Sequence, residues 1–251
     1  MLNEPMITLR KLYHWGLKDY SRPVNFFHLD TEKQFLSNCK TQDSAWLYRT
    51  RSVEYCLNDQ GYRAAELAQI DWSNSIIMFG CSNLFGVGLD QKDTVDQQLS
   101  RLIAADVVNL SIPGGSLYMN YENLVSLLKK GIRPKGIVNV WTDYSRLTYF
   151  LPRGFALSLG SWEDHVLYRT WNQQDSNSQT YALMIVDSTR LLCESLGIWH
   201  RECSFFKPSA ELFDCEHFDS VDTARDLMHP GIESAGMAAE YLANEWRNSR
   251  A

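Results

Sequence analysis

Three residues far apart in the chain have the types and settings that nucleophilic catalysis needs. Asp226-Leu227-Met228-His229-Pro230-Gly231 sets a carboxylate three residues before an imidazole, and Pro230-Gly231 keep that segment out of the helix that follows. A histidine that takes a proton from a hydroxyl and returns it needs a partner on its other ring nitrogen. That partner fixes the tautomer and stabilises the imidazolium. An Asp-x-x-His loop supplies both groups from one stretch of backbone. The pattern is common by chance in surface loops, and it gains meaning from a candidate nucleophile upstream, Ser82, in Ile76-Ile77-Met78-Phe79-Gly80-Cys81-Ser82-Asn83-Leu84-Phe85-Gly86-Val87-Gly88. Cys81 is a rival nucleophile, but its side chain should point away from that of Ser82, and no residue near it in sequence would hold a thiolate.

The elements that must position these groups are strands with polar ends. Ile76–Phe79 is a short continuous apolar run, the mark of a buried parallel strand. Gly80 lets the chain turn, so Ser82 falls just past the carboxyl end, where open α/β sheets bind ligands. The segment from Val107 to Ser116 reads as a second strand ending in a Gly-rich turn that contains Pro113-Gly114-Gly115. The segment from Gly136 to Arg146 reads as a third strand that ends in polar residues, Thr142-Asp143-Tyr144-Ser145-Arg146. Leu84 stands where a Gly-x-Ser-x-Gly elbow would need its second glycine. Gly80, Gly86 and Gly88 are misspaced for a dinucleotide loop, and Asp90, Asp93 and Asp96 would repel a pyrophosphate.

With Ser82, Gly114, Thr142-Asp143 and Asp226-x-x-His229 in this order, the chain resembles the SGNH (GDSL-type) hydrolase superfamily over roughly residues 74–248. The resemblance implies a three-layer α/β/α fold, flavodoxin-like, with a mainly parallel sheet. It implies Ser82 as nucleophile, His229 as base and Asp226 as the residue that orients it. The oxyanion hole would be formed by the N–H groups of Ser82 and Gly114 with a third donor from Thr142. Two positions depart from the family pattern. Cys81 replaces the Asp of the first block, and Thr142 stands where the family has its oxyanion Asn, with Val140 in place of that block's Gly. A Thr hydroxyl is a shorter donor, and losing one oxyanion donor costs about 2.7–4 kcal/mol of transition-state stabilisation. The Trp141-Thr142-x-x-x-Arg146 form resembles a divergent branch found in phage and environmental bacterial sequences. Asp143 and Arg146 are then the candidate substrate-binding residues. Asp143 must face away from the oxyanion, anchoring a loop N–H or pairing with Arg146, and a surface ion pair is the alternative for Arg146.

The activity so implied is hydrolysis of a small O-acyl ester, such as an O-acetyl group on a glycan, through an acyl-enzyme and without a cofactor. Two alternatives stay open. One is a catalytically weak binding or structural module of the same fold, for instance on a virion. The other is an acyltransferase using the same triad.

Composition agrees with a folded domain. The 251 residues are 45% hydrophobic and carry a net charge of −6, with Lys129-Lys130 as the one prominent basic pair, so nucleic acid is not an expected partner. No apolar run reaches the length of about 20 residues that a membrane span needs. Met1–Pro5 lacks an apolar signal region, so a cytoplasmic location is the expectation, with virion association if the gene is phage-borne. Six cysteines show no Cys-x-x-Cys spacing, and His14, His28, His165, His200 and His217 have no i, i+4 partner, so no metal site is expected. Oligomeric state is not readable.

The expected organisation is an N-terminal extension over residues 1–70 packed on the core, followed by the hydrolase-like domain at 71–251. The extension is rich in aromatics, among them Tyr13, Trp15, Tyr20, Trp46 and Tyr55, and Tyr55–Arg63 reads as a strand and a turn built on Asn58 and Gly61. Helices are expected at about 92–105, 117–130, 178–196 and 232–248. Residues 150–177, with Pro152, Gly154, Trp162 and Trp171, read as a loop insertion beside the site.

Overall fold

A computed structural model of the chain describes residues 9, 11–12, 22–150 and 155–250. Tyr13, Trp15, Tyr20, Pro152 and Gly154 lie outside the described residues. In chain order the elements are β1 (Lys11–Leu12), α1 (Glu32–Thr41), β2 (Ser75–Phe79), α2 (Ser82–Phe85), α3 (Val95–Ile103), β3 (Asp106–Asn109), α4 (Leu117–Lys129) and β4 (Gly136–Trp141). There follow β5 (Leu147–Phe150), β6 (Phe155–Leu159), α5 (Val166–Asn172), α6 (Asp175–Ser195), β7 (Trp199–Ser204), α7 (Lys207–Phe213), β8 (Glu216–His217) and α8 (Ile232–Asn248).

Five strands form one sheet in the order β3-β2-β4-β7-β8, and every neighbouring pair is parallel. Side chains alternate across it, and two cores result. Ile76, Met78, Val138 and Val140 face α3 and α8, while Ile77, Phe79 and Ile137 face α4 and the end of α6. Both faces of β2 and β4 are therefore covered, which is why these strands read as unbroken apolar runs. Alanines 235, 238, 239 and 243 lie buried along α8 and let it pack closely on α3. The arrangement is the expected three-layer α/β/α fold with a parallel sheet.

The strand order reverses at β2, because the chain steps outward to β3 and then returns to the other side of β2 for β4. A crevice opens at such a switch point beyond the carboxyl ends of the strands. Ser82 is three residues past the end of β2.

The four expected helices form; α4 and α8 begin where expected, while α3 and α6 start three residues late and three residues early. A 3-10 turn at Gln91–Asp93 delays α3, and Ala104 in the left-handed region ends it. The segment expected as a loop insertion at 150–177 carries regular elements among its described residues. β5 and β6 pair antiparallel beside the main sheet, and α5 follows. In the extension, the Asn58 turn forms as expected, its side-chain oxygen accepting from the N–H groups of Gln60 and Tyr62 at 3.1 and 3.0 Å. The strand expected at Tyr55 is reduced to a single bridge with Val24.

Extension and core meet in a buried ion pair. Arg225 donates to Asp30 at 2.7 Å, and the Asp30 side chain is fully buried. Tyr55 donates from its hydroxyl to Asp30 Oδ2 at 2.6 Å and accepts from the Gly88 N–H at 2.6 Å. Removing one partner of a buried pair strands the other charge and costs about 3–5 kcal/mol. Asp30→Ala is therefore expected to lower unfolding free energy by about that amount in denaturant titrations. A loss below about 1 kcal/mol would show that water reaches Arg225 freely.

Candidate active site

Gly80 shapes the turn that presents Ser82. A Cβ there would lie 2.8 Å from Leu84 Cβ and 3.1 Å from the Val140 carbonyl oxygen, so no larger residue fits without displacement. Ser82 opens α2, whose end is held by the buried Arg63. Its guanidinium donates to the carbonyls of Gly86 and Leu89 at 2.8 Å each, and to that of Glu54 at 2.6 Å. Asn109 supports the same helix by donating to the Leu84 carbonyl at 2.9 Å and to Asp96 at 2.8 Å. Burial raises the pKa of Asp96.

The second glycine loop sits against this turn. Ile112 N–H donates to the Gly80 carbonyl at 3.1 Å. Gly114 follows with φ 71°, a left-handed conformation that favours glycine.

The histidine loop folds on itself. Asp226 Oδ1 accepts from the N–H groups of Met228 and His229, both at 3.1 Å, and Oδ2 meets His229 Nδ1 at 2.5 Å. This leaves Nε2 as the nitrogen free to face substrate, the arrangement a general base requires. Three hydrogen bonds fasten the loop, two of them from α1. Arg225 N–H donates to the Gly88 carbonyl at 3.1 Å, Gln34 to the Asp226 carbonyl at 2.9 Å, and Asn38 to the Arg225 carbonyl at 3.0 Å.

Ser82, Gly114, Arg146 and His229 line one cavity of about 350 Å3, with Trp162 and Met228 also in its wall. No hydrogen bond joins Ser82 to His229 among the described residues; such contacts commonly tighten only when substrate binds. A larger cavity, about 540 Å3, lies beside β3 and contains no histidine.

Other candidates stand apart from this wall. Thr142 is fully buried, and its hydroxyl has no hydrogen-bond partner among the described residues. An atom that water cannot touch does not contact a substrate oxygen without rearrangement, so the side chain stops short of the oxyanion position. Asn139 is turned to His200, at 2.8 Å between Nδ2 and Nε2. Asp143 accepts from Ser145 N–H at 2.9 Å, anchoring its loop, and forms no ion pair with Arg146 among the described residues. Cys81 is buried outside the cavity wall. Burial pushes the thiols of Cys193 and Cys215 up to about 12, which leaves them unreactive at neutral pH. Among the described residues, no group of three or more His, Cys, Asp or Glu side chains could hold a metal ion.

Sequence reasoning missed the contributions of Gln34, Asn38 and Arg63. All three act on backbone carbonyls distant in sequence, and such contacts leave no local pattern.

No protein-family model matches this chain, and no curated protein matches it. Among solved structures it is similar to the acetyl xylan esterase Est2A from the rumen bacterium Butyrivibrio proteoclasticus, 12% identical over 70% of this chain and 64% of that one, TM-score 0.46. It is similar to a G-D-S-L family protein from Desulfitobacterium hafniense DCB-2, 10% identical over 68% and 98% of the two chains, TM-score 0.45. It is also similar to the psychrotrophic esterase EstA from Pseudoalteromonas sp., 13% identical over 70% and 99%, TM-score 0.41. These likenesses are too distant to assign an activity.

The position of Thr142 has a kinetic consequence. With its hydroxyl buried and unpartnered, Thr142→Val is expected to leave turnover of any confirmed substrate within about threefold and stability equal or higher, because the variant removes an orphaned buried polar atom. A fall of about a hundredfold in kcat would mean that the hydroxyl does reach the transition state.

Proposed function

We propose that the protein is a serine ester hydrolase acting on small O-acyl esters. The observation that carries this reading is His229, held by the buried Asp226 carboxylate, sharing a cavity wall with Ser82. His229 Nε2 takes the Ser82 hydroxyl proton as Oγ attacks the ester carbonyl. The tetrahedral oxyanion then forms beside the Ser82 and Gly114 amides, neither of which donates to a backbone acceptor outside the regular elements among the described residues. Collapse expels the alcohol, which receives the proton from His229. Water, activated by the same imidazole, releases the acid from the acyl-enzyme. Asp226 holds the tautomer throughout and stabilises the imidazolium.

A cavity of about 350 Å3 is near the small end of ligand sites, which favours short acyl groups such as acetyl. Trp162 is exposed at the wall, where an indole suits the face of a sugar ring, so an acetylated glycan is the favoured natural substrate. A hole with two amides in place of three donors would run more slowly than a complete one. An acyltransferase would use the same residues and differ only in the acceptor that attacks the acyl-enzyme.

A neutral fluorophosphonate followed by peptide mass mapping tests the nucleophile, and 4-nitrophenyl esters from acetate to octanoate test the pocket. Modification of Ser82 alone and a preference for acetate are expected. Ser82→Ala should lose both signals, and Asp226→Asn should lower kcat by roughly three to four orders of magnitude by permitting the wrong tautomer. Labelling that persists in Ser82→Ala would refute the assignment.

A further inference from the structure

The described residues include three buried arginines, and two of them have their charges met by protein. Arg225 is paired with Asp30, and Arg63 is surrounded by carbonyl oxygens. Arg146 is different. It is 8% exposed, yet among the described residues its guanidinium makes one hydrogen bond, from Nη1 to the Gly115 carbonyl at 3.3 Å, and no carboxylate pairs with it. Its guanidinium carbon lies over the rings of Trp162 and Phe206, 4.9 and 5.2 Å from their centroids, contacts that hold the cation without satisfying its N–H donors. A guanidinium carries five N–H donors, so four remain, and the side chain forms part of the cavity wall that holds Ser82 and His229. Glu163, the one acid in that wall, is exposed and forms no ion pair with Arg146 among the described residues.

A buried cation is costly unless an anion meets it. We infer that Arg146 receives an oxyanion of the substrate, so that the preferred esters carry a carboxylate or a similar group on the acyl or alcohol part, as an O-acetylated acidic sugar does. The inference rests on the ester-hydrolase reading and adds a charge requirement to it. A planar, aromatically clamped fork suits bidentate contact with such a group, and a lysine would keep the charge while losing the second hydrogen bond.

Two matched pairs of esters test it on both sides of the scissile bond. In the first, 4-acetoxybenzoate and its methyl ester differ by a carboxylate on the leaving group. In the second, mono-4-nitrophenyl glutarate and its methyl ester differ by a carboxylate on the acyl chain. For each pair the readout is the ratio of kcat/KM, anionic over neutral, in wild type and in Arg146→Gln. In at least one pair the ratio should fall by roughly ten- to a hundredfold, the range of a charge-assisted hydrogen bond, with the loss mainly in KM. Arg146→Lys should lose less. Labelling of Ser82 by a neutral fluorophosphonate verifies that each variant is folded, and should Arg146→Gln fail this check, Arg146→Lys alone decides, a shift of threefold or more in either pair being required. Ratios that change less than threefold in both pairs, while Ser82 is labelled and the neutral esters are hydrolysed, would overturn the inference and leave the hydrolase reading intact. Failure of Ser82 to label, with neither pair hydrolysed, would instead overturn the hydrolase reading and this inference with it.

Discussion

Ser82 opens a short helix and His229 sits on a loop far along the chain, and a short chain of buried polar contacts links the two segments. Gly88, just past α2, offers its carbonyl to the Arg225 amide and its own N–H to the Tyr55 hydroxyl. That hydroxyl donates to Asp30, and Asp30 holds the Arg225 guanidinium. The residue next to Arg225 is Asp226, which orients His229. Each group in this chain is satisfied by the next, so removing one leaves a buried polar partner unpaired. The extension thus acts on the site through backbone: Gln34 and Asn38 hold two carbonyls of the loop on which His229 sits.

The same logic separates what the sequence made legible from what it did not. β2 and β4 are covered on both faces and appear as apolar runs, and the spacing of Asp226 and His229 is local, so both could be read directly. β7 runs nearer the sheet edge and carries His200, Arg201 and Glu202, so it offers no apolar run to recognise. The hairpin of β5 and β6 lies outside the main sheet and alternates too weakly to be seen. Asp30 and Arg225 are single charges 195 positions apart, and nothing local marks them as partners. Thr142 was placed at the correct strand end by its position in the chain. Its depth beneath the cavity depends on packing, which the order of residues does not reveal.

The cavity combines two electrostatic features with different tasks. The amides of Ser82 and Gly114 are fixed backbone dipoles, suited to charge that exists only in the transition state. The guanidinium of Arg146 is a permanent charge, suited to an anion present in the ground state as well, and under the inference drawn above it would govern which substrate binds more than how fast it reacts. Trp162 contributes to both an aromatic wall and the clamp on Arg146. A site with few oxyanion donors and a strong fixed cation would favour selectivity over rate.

The central claim is that Ser82, His229 and the two amides converge on one reacting centre. A crystal structure of the protein after reaction with a small alkylphosphonofluoridate measures that convergence directly. Phosphorus is expected to be bonded to Ser82 Oγ, with the phosphoryl oxygen about 2.7–3.1 Å from both amide nitrogens and His229 Nε2 facing the phosphonate. Phosphorus on any other residue, or a phosphoryl oxygen beyond reach of both amides, would contradict it.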